Sequence, residues 1–142
     1  MESIDVITAI RAKFNEVGSP ALIQMSKTDR YFKAELAKEG VYVDNLREDQ
    51  FLPWAVFTET VALLKQKGGR AIKGNAVDFK LGEIGLSVES IEGHIARVVY
   101  GMETGERVFR RIISFGNILI WAGVCLHEPG ELVLCEMKLE GK

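Results

Sequence analysis

The chain is poor in the residues that make covalent or metal-held scaffolds: two cysteines, two histidines and three prolines among 142 residues. Cys125 and Cys135 are too few for a disulfide framework, and in a reducing compartment they read as small apolar residues. His94 and His127 leave little material for acid–base chemistry, and no His/Cys cluster has the spacing of a zinc site, so no metal and no cofactor are expected. Long apolar runs are missing as well. The longest, Ile118 to Leu126, is too short to cross a bilayer. The opening residues Met1-Glu2-Ser3-Ile4-Asp5 lack the basic and apolar stretches of a secretory signal, so the expectation is a cytoplasmic protein without membrane contact. Neither sign of charge dominates. Eighteen Lys and Arg stand against twenty Asp and Glu, a net charge of −2, so no global positive field draws in nucleic acid.

Catalytic signatures are equally sparse. No G-x-G-x-x-G occurs. Gly69 to Gly74 shares only its glycines with a phosphate loop, because Lys73 precedes the second glycine and Asn75 follows it. Glu136-Met137-Lys138 has the E-x-K form of some metal-dependent nucleases, but the neighbouring segment Ile118 to Leu126 holds no second acid to share a metal. Outward charges on an edge strand explain the tripeptide more simply. His127-Glu128 reads as a polar turn. Trp54 and Trp121 lie in apolar stripes and read as core. No catalytic residue is assigned, and an enzyme would have to hide its site in the glycine-punctuated stretch 69–87.

What is abundant is apolar residue content, 47% of the chain, enough for a core without staples. From Ser3 to Val17, residues Ile4, Ile7, Ile10, Phe14 and Val17 recur at helical spacing, with Ser3 as cap and Gly18 and Pro20 as stop. A second helix is expected from Asp29 to Glu39, then a short strand Val41–Val43 and a polar loop Asp44–Gln50. Pro53 suits the first turn of a third helix carrying Trp54, Phe57, Val61 and Leu64 and ending at Gly68-Gly69. Arg70–Lys73 reads as a short strand, followed by an irregular connection to Ser87. Val88–Tyr100 and Glu106–Phe115 both show apolar arcs of amphipathic helices, with Gly116-Asn117 as a break. An extended reading of Glu106–Asn117 is the alternative, given its Ile, Val and Phe. Ile118–Leu126 and Leu132–Leu139 then form a hairpin around Pro129-Gly130.

The chain is therefore α+β. An N-terminal helical segment, 1–50, precedes a unit spanning 51–142, with one compact domain overall as the alternative. From Pro53 onward the order is helix, short strand, helix, tight turn, helix, β-hairpin. This order resembles the winged helix-turn-helix superfamily, over about two-thirds of the chain by element count.

The resemblance implies a three-helix plus β-hairpin unit, with Glu106–Phe115 in the position of a recognition helix. Arg107, Arg110, Arg111 and Ser114 would then project opposite Val108, Phe109 and Ile112, with Asn117 just beyond. Arginines on such a face can contact phosphates and pair with guanine edges. The implied function is non-catalytic binding of double-stranded DNA, with Arg70 and Lys73 as further backbone contacts. The resemblance further suggests a homodimer, for which the Ile4, Ile7, Ile10 and Phe14 stripe could supply the interface unless it covers the chain's own core. The hairpin tip His127–Glu131 departs from a DNA-gripping wing, since it carries two acids and no Lys or Arg. That departure favours the alternative, a protein-interaction or assembly module of similar fold without DNA contact.

Overall fold

The computed structural model describes residues 5–25 and 28–135. Helix α1 (Val6–Val17) starts after Asp5, whose carboxylate accepts the Ile7 amide at 2.9 Å, so Asp5 takes the capping role expected of Ser3. Ser3 and Ile4 lie outside the described residues. Ile10 is fully buried, Phe14 is 2% exposed and Ile7 is half-buried. The apolar stripe of α1 thus packs into the chain's own core. The second helix expected from Asp29 is not formed. Four strands, β1 (Ala21–Gln24), β2 (Tyr31–Leu36), β3 (Gly40–Val43) and β4 (Phe51–Pro53), form an antiparallel meander in sequence order. The burial in β2 alternates, with Phe32 and Ala34 inward and Tyr31, Lys33 and Glu35 outward. Its period is two, and pairing on both edges, to β1 and β3, outweighs the weak helical propensity of a six-residue segment.

Helix α2 (Trp54–Gln66) follows β4 directly, with Pro53 at its extended N-cap, one residue before the first turn in which the proline signal places it. It buries Val56, Phe57, Thr60, Val61, Leu63 and Leu64. This spread around the helix places it between α1, α3 and the second sheet. Strand β5 (Arg70–Ile72) leads into an irregular stretch that contains a 3-10 turn at Ile84–Leu86. Helix α3 (Ile91–Val98) is shorter than its sequence arc, because the Ser90 hydroxyl caps the Gly93 amide at 3.1 Å and sets the start.

The largest departure comes next. Residues 101–111 form no helix, and α4 runs from Ile112 to Trp121. Gly116-Asn117 lies inside this helix instead of ending it; a helical glycine weakens a helix without forbidding it. The expected strand from Ile118 shrinks to β6 (Cys125–Glu128), which pairs across Pro129-Gly130 with β7 (Glu131–Leu134). Residues 136–142, and with them Glu136-Met137-Lys138, lie outside the described residues. The second sheet has the order β5-β7-β6, all antiparallel.

Among the described residues the chain is α+β, with four α-helices and two antiparallel sheets. One apolar core draws on both the N-terminal and the C-terminal segment, from Val6 and Phe32 to Phe115 and Leu134. A smaller cluster of Leu81, Leu86, Ala96 and Val108 anchors the irregular connections. Among the described residues no helix is long and apolar enough to cross a membrane.

Candidate functional site

A cleft of about 460 Å³ opens between the β1–β2 turn, the end of β5, strand β6 and helix α4. Each wall has a local cause. In the β1–β2 turn the Thr28 hydroxyl donates to the Met25 carbonyl at 3.1 Å and accepts the Arg30 amide at 3.0 Å. The Gln24 side chain adds a bond to the Thr28 carbonyl at 2.7 Å. This ties down the backbone that carries Arg30. Lys73 follows β5. Its amide donates to the Gly130 carbonyl at 2.8 Å and its carbonyl accepts the Glu92 amide at 2.9 Å. Gly74 sits at φ +89°, and a Cβ there would stand 2.6 Å from the Ser90 hydroxyl and 3.0 Å from Leu86 Cδ1. Only glycine allows the chain to turn away behind Lys73.

The Lys73 ammonium lies 3.1 Å from Nδ1 of His127 on β6. Helix α4 supplies Ile112, Ile113, Gly116 and Ile120 as an apolar floor, together with Leu132 of β7. Asn117, 7% exposed, lines the cleft and donates to the Ile113 carbonyl at 2.6 Å.

Arg110 reaches the cleft because Glu92 fixes the start of α4. The Glu92 carboxylate, 2% exposed, accepts the amides of Arg111 at 3.1 Å and Ile112 at 3.2 Å. These are donors that a helix start leaves without internal partners. Burial pushes the Glu92 carboxyl up to about 7, against the opposing pull of these two amides and of Arg110 and Arg111.

The electrostatics of the cleft are one-sided. Arg30, Lys73 and Arg110 line it, and no described lining residue is an acid. Arg30 and Arg110 make no ion pair among the described residues. A second concavity, about 420 Å³ between α1 and the end of α4, carries both Lys13 and Glu16 and has no such bias. No group of three or more His, Cys, Asp or Glu among the described residues could hold a metal ion.

Three residues singled out from sequence meet in this cleft: Lys73, Arg110 and Asn117. The others do not share one exposed helix face with them, which corrects the helical reading of Glu106–Phe115. Arg107 is exposed in the irregular segment and its Nη1 lies 3.5 Å from the Val77 carbonyl. Arg111 is buried, stacked 3.7 Å over the Tyr100 ring and paired with Asp49 at 3.2 Å. Ser114 is fully buried and donates to Asn45 Oδ1 at 2.8 Å. Arg70 pairs with Glu131 across the β5–β7 ladder at 3.3 Å. Arg30 and His127 were missed as site residues. Arg30 stood in a segment read as the start of a helix, and nothing local in the sequence links positions 30, 73, 110 and 127.

No family model, curated protein or solved structure matches the chain.

Proposed function

We propose that this protein binds nucleic acid without catalysis, with the cleft as its contact site. One observation carries the reading: three cations from separate parts of the chain converge on a concave, apolar-floored site without a described acid, on a protein whose net charge is −2. Arg30 and Arg110, which make no ion pair among the described residues, are brought close to one another in this cleft, and an anionic ligand offsets the repulsion between them. Phosphate is the anion that Arg and Lys recognise best, and the apolar floor suits the face of a base. The element order α2, β5, α3, α4, β6–β7 supports kinship with the winged helix-turn-helix superfamily, although the arginines act here from a cleft and not from one helix face.

The test is fluorescence anisotropy of labelled mixed-sequence oligonucleotides, single-stranded and duplex, over a salt series. Neutralising three phosphates predicts a slope of log affinity on log salt of roughly −2 to −3. Arg30→Ala and Arg110→Ala should each make that slope shallower by about 0.7 to 0.9. Arg107→Ala, outside the cleft, should leave it unchanged. Absence of binding at low salt would sink the proposal. The protein-interaction reading would then take its place. It is favoured by Leu22, Tyr31 and Tyr42, which stand 69%, 55% and 52% exposed on the outer face of the β1–β4 sheet.

A further inference from the structure

We infer that the cleft accepts one unpaired nucleotide of a single strand, and not a duplex; the inference rests on the nucleic-acid reading above. Duplex recognition by a helix needs an exposed face that can enter a major groove and meet base edges. Helix α4, the helix at the cleft, has no such face. Ile112, Ser114, Phe115, Asn117, Ile118 and Leu119 are all buried, and its three half-buried positions are Ile113, Ile120 and Trp121. The surface beside the cations is concave, whereas a duplex offers a concavity only its convex backbone.

An unpaired nucleotide offers more. It exposes a charged phosphate, an apolar ring face and open hydrogen-bonding edges at once. The cleft is divided in the same way. Arg30, Lys73 and Arg110 supply positive charge, while Ile113, Ile120 and Leu132 supply an apolar bed. The His127 imidazole stands among them, a ring on which bases stack. A volume of about 460 Å³ falls in the range of roughly 300–1,000 Å³ typical of sites for one small organic group. Gly116 keeps the floor open. A Cβ there would stand 3.5 Å from Ile112 and 3.8 Å from Leu132, so an alanine fits the fold and projects among residues that line the cleft.

The experiment compares a fluorescein-labelled single strand, the duplex formed from it, and an unlabelled nucleoside monophosphate as competitor, all against the full chain at one low salt concentration. The expected result is single-strand binding at least about ten-fold tighter than duplex binding, the effect of one well-seated base. The monophosphate should compete only at far higher concentration, and Gly116→Ala should weaken the single strand while leaving the circular dichroism spectrum intact. Equal or tighter duplex binding overturns this inference and leaves the nucleic-acid reading standing. A monophosphate that competes as well as the strand also overturns it, since the site would then serve free nucleotides. No binding of either oligonucleotide overturns both.

Discussion

Glu92 lets the architecture of the cleft be tested without any ligand. Its carboxyl group is buried beside Arg111 and Tyr100 and holds the first amides of α4. Burial raises it from 4.5 in the unfolded chain to about 7 in the folded one. The folded state therefore keeps this proton to a higher pH than the unfolded state does. The stabilisation is fully present below 4.5 and is lost as pH rises through about 7, because the folded chain must then bury a charge that the unfolded chain leaves in water. At about 1.36 kcal/mol per pH unit, the interval from 4.5 to about 7 corresponds to roughly 3 kcal/mol. Glu92→Gln keeps the shape and one acceptor oxygen and cannot ionise. Urea unfolding between pH 5 and 8 should show the wild-type protein losing most of that amount, while the glutamine variant stays nearly level over the same range. Parallel pH profiles for the two proteins, or a wild-type protein that gains stability with pH, would refute the reasoning.

Gly116→Ala replaces a helical glycine where the added methyl meets only ordinary contacts. It should stabilise by about 0.5–1 kcal/mol, read as a higher Tm in a thermal melt. Gly74→Ala should do the reverse, losing roughly 1–3 kcal/mol in urea unfolding, because φ is +89° and the Ser90 hydroxyl blocks the Cβ. Cys125, buried with its thiol pushed up to about 12 by desolvation, should resist a thiol reagent in the folded protein at neutral pH and react once the chain is unfolded in urea. Prompt labelling of Cys125 under native conditions would contradict its burial.

Much of the fold could be read locally. The α1 stripe, the proline-started α2, the short β3 and β5, the irregular stretch after β5 and the Pro129-Gly130 hairpin all follow from periodicity and turn chemistry, which act between near neighbours. The α+β class follows from the same signals. Elements whose state depends on distant partners were not legible. Tyr31–Leu36 has too short a pattern to decide between periods, and its pairing with β1 and β3 makes it a strand. The start of α4 moved from Glu106 to Ile112 because a carboxylate on another helix, Glu92, offers acceptors to the amides of Arg111 and Ile112. That shift buried Arg111 and Ser114 and turned an expected row of arginines into one cleft residue, Arg110. The sequence by itself thus determined which residues are apolar, where the chain can turn and that helices and strands are both present. The tertiary structure alone decided the register of α4 and the meeting of Arg30, Lys73, Arg110 and His127, because charges far apart along the chain become neighbours only after the core has set the path between them.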